Sequence, residues 1–166
     1  MKNKRKKVLI VLVIVFLIAA IICGIFVILS KKGTTNYPDL SENPIAFYTS
    51  VYVDINNDNE GYIAIEYNGR KYMPYGSLKR NVLKKDIDKC IGYVVQDENN
   101  SSISDENNKN TRIYTLKEDK ENNFLMQYYI GTTLMNQPCF YRAADTKGKN
   151  IFIPKYINSL EYNYWK

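Results

Sequence analysis

An uninterrupted apolar segment near the N-terminus, residues 8–30, constrains this chain more than any other feature. None of its positions carries a charge, and almost all are Val, Ile, Leu, Phe or Ala. As an α-helix rising 1.5 Å per residue it would span roughly 34 Å, and the hydrocarbon core of a bilayer is about 30 Å thick. Because a backbone inside lipid must satisfy its own hydrogen bonds, the segment is predicted to form one transmembrane helix.

The flanking charges predict the orientation of this segment. Residues 1–7 contain five Lys or Arg, whereas only Lys31 and Lys32 follow the segment directly. The larger positive charge stays on the cytoplasmic side, so the N-terminus is predicted to be cytoplasmic and the remainder extracytoplasmic. A cleaved signal peptide is the alternative, but its apolar core would be about 7–15 residues long and followed by small residues. The longer segment, without such a site, favours a single-pass anchor in the cell membrane.

Two further contacts at the membrane follow from this anchor. Residues 1–7 are too short to fold and are predicted to contact lipid headgroups. Ala20 and Gly24 lie four positions apart in the segment, a spacing that lets two helices approach closely. A transmembrane-helix dimer is therefore one interpretation, and ordinary membrane-helix composition is the other.

The charge distribution does not indicate a nucleic-acid partner. The chain has 23 Lys and Arg against 17 Asp and Glu. Seven of the basic residues lie at or before Lys32, where there is no acidic residue, so residues 33–166 carry 16 basic and 17 acidic side chains. No basic face for nucleic acid is predicted. The chain also has no histidine, which excludes Ser-His-Asp and Cys-His nucleophiles and histidine metal ligands.

The remainder of the chain is predicted to be a tether at residues 31–45 and one domain at residues 46–166. Strand-like patterns rich in β-branched and aromatic residues occur at 46–54, 62–67, 70–74, 93–95, 112–116, 123–130, 138–143, 150–154 and 160–165. Asn68-Gly69 lies between two of them and predicts a hairpin with a type I′ turn, because both central residues of that turn need positive φ.

One part of this domain has helical spacing. Apolar residues recur with that period from Ser77 to Cys90, with Ser77 as N-cap and Gly92 as stop, which predicts a short helix. Residues 97–111 contain Asp-Glu-Asn-Asn twice and one apolar residue, Ile103, and are predicted to be a mobile loop. The predicted fold class is α+β: one N-terminal transmembrane helix, then a small, mostly antiparallel, β-rich extracytoplasmic domain with one short helix.

Three short motifs carry a family resemblance. They are Tyr67-Asn68-Gly69-Arg70-Lys71-Tyr72, then Lys89-Cys90-Ile91-Gly92-Tyr93-Val94, and then Arg112-Ile113-Tyr114. Their order resembles that in small uncharacterised membrane-anchored envelope proteins of Gram-positive bacteria, over about half of the outer domain. The resemblance implies a location at the cell surface, and it implies no activity and no functional residue.

A polar segment between two predicted strands resembles the start of a calcium loop. The residues with oxygen ligands at alternate positions are Asp54, Asn56, Asp58 and Glu60. The sixth position is Asn59 where such a loop needs Gly, and the twelfth is Ile65 where it needs Glu. A polar turn is the alternative interpretation, and no other cofactor is predicted.

Two cysteines lie in the outer domain, Cys90 and Cys139. In an exported domain they are candidates for one disulfide, which would stabilise the fold by closing a long loop. Two unbridged, buried thiols are the alternative. A catalytic cysteine is disfavoured, because no imidazole is present to generate the thiolate.

The aromatic residues are the remaining candidates for an interface. All 15 tyrosines and the single tryptophan lie outside the apolar segment. Those predicted to form an exposed binding patch are Tyr156, Tyr162, Tyr164 and Trp165. Core packing is the alternative.

Together these features predict a single-pass membrane-anchored module that is not an enzyme and that binds an envelope protein through protein contacts. The alternative is a protein that binds cell-wall polymer through its sugar rings, or a wall hydrolase that works without histidine. Such a hydrolase needs a pair of carboxylates, and the spacing of the acidic residues in the sequence selects no pair.

Overall fold

The computed structural model describes residues 36–55, 59–95, 109–131 and 136–166. In chain order the strands are β1 (Leu40–Tyr48), β2 (Ser50–Val53), β3 (Gly61–Tyr67), β4 (Arg70–Ser77), β5 (Ile87–Val95), β6 (Thr111–Leu116), β7 (Phe124–Tyr129) and β8 (Cys139–Ala143). Short 3₁₀ turns occur at Lys84–Asp86, Ala144–Thr146 and Asn163–Trp165.

All eight strands belong to one sheet with the order β1-β5-β6-β7-β8-β4-β3-β2. The β1–β5 pair is parallel, and the other neighbouring pairs are antiparallel. The first and last strands in this order, β1 and β2, are consecutive in the chain and are separated by Thr49 alone. Because only Thr49 joins β1 to β2, the two edge strands of the sheet must lie close together. The sheet therefore curves into a half-barrel.

Hydrophobic clusters cover both faces of the sheet, as alternation along β7 shows. Phe124 and Met126 belong to a cluster that includes Tyr75 and Ile157. Leu125 points to the opposite face and belongs to a second cluster, with Ile113 and Tyr72 among others. A third cluster is formed by Tyr62, Ala64, Met73 and Tyr164. The chain from the end of β8 to residue 166 therefore covers one face instead of adding strands.

The predicted hairpin is confirmed. Tyr67 pairs with Arg70 across a two-residue turn between β3 and β4. Asn68 has φ 51° and Gly69 has φ 71°, the left-handed values that a type I′ turn requires. This turn fixes the register of the β3–β4 pair.

The predicted α+β class is wrong, because the described residues contain eight strands and only three-residue 3₁₀ turns. The helix expected from Ser77 to Cys90 is instead the end of β4, a loop, a 3₁₀ turn and the first half of β5. The register of β5 shifts twice, between Ile87 and Cys90 and between Cys90 and Gly92. Such irregularities break the period of two, so the buried positions in β5 imitate helical spacing.

Other predicted boundaries differ from the structure. The folded unit begins at Tyr37, which is buried, so the second part of the predicted tether belongs to the domain. Residues 150–154 and 160–165 form no strand. The register of β1 shifts between Leu40 and Ile45, a stretch that contains Pro44. Proline cannot donate a ladder hydrogen bond, which accounts for this irregular start.

The predicted transmembrane helix, residues 8–30, lies outside the described residues, as does most of the predicted loop at 97–111. Within the part of the chain that the structure describes, no helix is long and apolar enough to cross a membrane.

Candidate interaction surface

Three apolar side chains on neighbouring strands form an exposed cluster, which we call the β2–β3 patch: Val51, Val53 and Ile63. Their exposed fractions are 74%, 44% and 58%. Val51 pairs directly with Ile63 in the ladder, and Val53 pairs with Gly61. Side chains directly opposite on antiparallel strands lie about 5 Å apart, so the patch is contiguous.

The patch is exposed because of the direction in which these strands pack. The alternate residues, Tyr52, Tyr62 and Ala64, belong to or pack against the cluster around Tyr164. Side chains alternate between faces along a strand, so Val51, Val53 and Ile63 must point the other way. Gly61 has no side chain to cover them, and a Cβ there would lie 3.1 Å from Val51 Cγ1.

The aromatic residues predicted as an interface are mostly part of the core. Tyr164 is 2% exposed, and Trp165 donates a 2.8 Å hydrogen bond from Nε1 to the carbonyl oxygen of Pro74. Tyr156 packs against the largest cluster, and its buried hydroxyl has no hydrogen-bond partner among the described residues. Burial raises the pKa of Tyr156 above its ordinary value. Tyr162 alone of the four is well exposed.

Trp165 also packs against a buried arginine. The Arg142 guanidinium carbon lies 4.5 Å from the Trp165 ring centroid, and it also faces Tyr75 and Phe124. Arg142 donates to the Thr146 side-chain and backbone oxygens, both at 2.9 Å. The arginine is 8% exposed. Its contacts are with the fold itself, so we assign this group to stability and not to ligand binding.

The structure places only two of the four predicted calcium ligands. Asn56 and Asp58 lie outside the described residues. The Asp54 carboxylate lies 3.7 Å from the Lys147 ammonium, which sits over the Tyr164 ring at 3.9 Å from its centroid. In the described ranges no group of three or more acidic or cysteine side chains could hold a metal ion.

The two cysteines of the domain are free thiols. Cys90 is on β5 and Cys139 begins β8, and β6 and β7 lie between those strands. Strands are spaced about 4.8 Å apart, which separates the two positions by more than the roughly 7 Å that a disulfide tolerates between Cα atoms. Burial raises the pKa of both thiols, which keeps them protonated.

Two small cavities lie away from the β2–β3 patch. One, of about 160 Å³, is lined largely by apolar side chains, with Leu78, Val82 and Tyr156 among them. The other, of about 130 Å³, is polar and includes Asp88 and Asp119. Both carboxylates are already engaged. Asp88 accepts the Thr115 hydroxyl at 3.1 Å, and Asp119 accepts the Phe124 N–H at 2.6 Å.

A charged group at the hairpin end of the sheet joins three parts of the chain. Arg70 donates to Asp145 through Nε and Nη2, the shortest contact being 2.8 Å. Its Nη1 donates to the carbonyl oxygens of Glu121 at 2.9 Å and Asn122 at 3.2 Å. The hydrogen bonds from the Arg70 guanidinium lower the pKa of Asp145 below its ordinary value. This group clamps the β3–β4 hairpin to the two neighbouring turns.

The substitution Asp145→Asn is expected to destabilise the fold modestly and only above acidic pH. The Asp145 side chain is 56% exposed, so the ion pair should contribute about 0.5 to 1 kcal/mol at neutral pH. A carboxyl with a lowered pKa stabilises the fold above its unfolded pKa and loses that contribution as the pH falls through the folded pKa. The difference between Asp145→Asn and the native chain should therefore shrink as the pH drops from about 5 to about 3.

Urea unfolding of both chains at several pH values measures this difference. Glu118→Gln, which removes an exposed carboxylate of the neighbouring β6–β7 turn, serves as the control. A difference that stayed constant down to pH 3 would mean that Asp145 contributes through packing rather than charge.

Comparison with known proteins yields no match to a family model, to a curated protein or to a solved structure. The resemblance suggested by the sequence motifs therefore stays a prediction. Sequence reasoning missed the β2–β3 patch: the alternation of Val51, Tyr52 and Val53 indicated a strand, but not which of its faces would be covered.

Proposed function

We propose that this chain is a binding module, held at the outer surface of the cell membrane by its apolar segment 8–30, that acts through contact with a protein of the cell envelope. The observation that carries the proposal is the β2–β3 patch. Scattered apolar side chains are normal on a protein surface, but adjoining ones that form a contiguous patch are typical of a contact surface.

The chemistry of the patch favours a protein over a wall polymer. Val51, Val53 and Ile63 offer only apolar atoms, which gain free energy by leaving water and cannot hydrogen-bond to sugar hydroxyls. Sugar-binding surfaces would use aromatic faces, and the β2–β3 patch contains no aromatic side chain. That this chain has no enzymatic activity stays a prediction.

The location at the membrane rests on the sequence. The uncharged segment 8–30 and the excess of Lys and Arg before it support a single-pass anchor with the domain outside. Protease added to intact cells should then digest the domain. Protection of the domain until the cells are lysed would contradict this arrangement.

A photoreactive phenylalanine analogue placed at residue 51 tests the proposed contact. Irradiation of intact cells that carry the full chain should link it to a protein, because residue 51 lies at the centre of the patch. The matched control has the same analogue at residue 152, where the native Phe152 is also exposed, at 57%. The yield at residue 51 should exceed the yield at residue 152 at least fivefold.

A second variant separates binding from folding. Val51→Lys places a charge on the patch and should abolish the contact, because a buried ammonium without a partner costs several kcal/mol. Its melting temperature should stay within a few degrees of the native value, because residue 51 is exposed. Equal yields at residues 51 and 152, or adducts with wall polymer alone, would overturn the proposal.

A further inference from the structure

Strand β2 ends the sheet, and its outer edge has no strand partner among the described residues. The strand reads Ser50-Val51-Tyr52-Val53 and contains no charged residue and no proline. Natural edge strands are usually protected from pairing by lysine, proline, a bulge or a covering element. A very short strand is itself a form of protection, and β2 has four residues. Its sequence supplies none of the other forms, and its outer N–H and C=O groups can pair with another strand.

We propose that a second copy of this chain pairs with this edge, its β2 antiparallel to the first and centred on Tyr52. This inference rests on the proposed function and names the partner at the same patch. In this register Val51 lies opposite the second copy's Val53, and Val53 opposite the second copy's Val51. The eight-stranded sheets of the two copies would then form one continuous sheet of sixteen strands.

The register is favoured because it brings the two β2–β3 patches together. Residues opposite each other in an antiparallel pair point to the same face, so the four valines meet on one face with Ile63 of each copy beside them. An interface between two identical surfaces requires a surface that is complementary to itself. The β2–β3 patch meets this requirement, because its valines lie opposite the valines of the second copy. A one-residue shift would place valine opposite tyrosine or serine and turn the patches to opposite faces.

The charges near the edge are compatible with this pairing. Asp54 is the first charged residue after β2, and it would lie opposite the second copy's Ser50. The two Asp54 carboxylates would be about 14 Å apart, beyond the screening length of about 8 Å at physiological salt. Each is also partly neutralised by Lys147, 3.7 Å away. Within β2 itself no residue is charged, so no pair of like charges lies in the proposed ladder between Ser50 and Val53.

The membrane anchor is part of the argument, because a four-residue strand pair is weak in free solution. Two chains held in one membrane meet at a much higher effective concentration than two free domains, which raises the occupancy of a weak contact. The dimer is therefore expected for the full chain in a bilayer.

Paired cysteines test both the partner and the register. Differently tagged full-length chains, one with Val51→Cys and one with Val53→Cys, are expressed in one membrane, with Cys23 and Cys139 replaced by Ser in both. Mild oxidation should give a mixed disulfide dimer at least fivefold more abundant than the dimer of either variant with itself. Only residues directly opposite come close enough for a disulfide.

A charge swap provides the second measurement. Val51→Lys with Val53→Lys should abolish dimer recovery, and mixing that chain with one carrying Val51→Glu and Val53→Glu should restore it. Circular dichroism of each variant checks that the fold persists.

The outcomes distinguish this inference from the proposed function. If photo-crosslinking at residue 51 yields only a different envelope protein, and no mixed disulfide forms, self-pairing is wrong and the proposed function stands. If residue 51 links to no protein at all, both fail. Equal yields of mixed and self dimers would overturn the proposed register.

Discussion

Replacing Arg142 by alanine is expected to lower the free energy of unfolding by about 3 to 4 kcal/mol. The guanidinium lies 4.5 Å from the Trp165 ring centroid and within 6 Å of two further ring centroids. A desolvated cation over an aromatic ring contributes about 2 kcal/mol. The substitution also removes both 2.9 Å donations to Thr146 and leaves a cavity between the sheet and the C-terminal segment.

Urea unfolding of the full chain, followed by circular dichroism, measures this loss. Arg80→Ala removes an exposed arginine and should change stability by no more than about 0.5 kcal/mol. Arg142→Lys should recover only part of the stability, because an ammonium keeps the charge but loses the planar stacking and the forked geometry. A loss below 1 kcal/mol in Arg142→Ala would show that the C-terminal segment is held by its apolar contacts alone.

Among substitutions that add a single methyl group, Gly92→Ala is expected to destabilise the fold most. A Cβ at residue 92 would collide with the carbonyl oxygen of Ile45 and lie 2.8 Å from Phe47 Cε2. The carbonyl belongs to β1, which pairs in parallel with β5 at this point, so neither strand can move without breaking the ladder. Overpacking of this kind costs about 1–3 kcal/mol or more, and we expect a value at or above the upper end.

Gly148→Ala provides a matched control, because it adds the same methyl group without a collision. No atom lies within 4 Å of a Cβ at residue 148, but its φ of 71° is unfavourable for alanine. Its cost should be about 1 kcal/mol, all from the backbone conformation. Thermal unfolding of both variants tests whether Gly92→Ala loses more stability than Gly148→Ala. Equal losses of stability would mean that β1 can shift away from β5.

Local signals in the sequence were sufficient to predict the structure of a segment wherever that structure depends on the segment's own residues alone. Asn68-Gly69 specified the type I′ hairpin, because the left-handed backbone at both positions is a property of those two residues. Alternating β-branched and aromatic residues located most strands for the same reason. The apolar segment 8–30 and the basic residues before it are likewise local features, and the prediction of an anchor depends on them.

Tertiary pairing overrode the local pattern in β5. The apolar spacing there favoured a helix, but β1 and β6 supply ladder hydrogen bonds on either side of the strand. A short isolated helix is marginal, whereas a strand between two partners can form ladder hydrogen bonds along both of its edges. The irregular register then reproduces helical spacing by coincidence, which no sequence pattern reveals.

The candidate surface was also decided by packing rather than by residue type. Tyr164 and Trp165 are residue types that are common at interfaces, but here they are packed in the core, Trp165 against Arg142 and Tyr164 against Tyr62. Val51 and Ile63 are residue types that are usually buried, yet nothing in the described chain covers them. Burial depends on what lies opposite in space, and for Tyr164 the neighbours Tyr52 and Tyr62 are more than a hundred positions away in the chain.

The sequence by itself determined the hairpin turn and the approximate positions of most strands, because each is a local property. Only the tertiary structure decided that Val51, Val53 and Ile63 stay in water. Ile65 lies on the same face of β3 as Ile63, yet it is buried with Phe47 and Tyr72, because exposure at each position depends on which other elements lie opposite it in space.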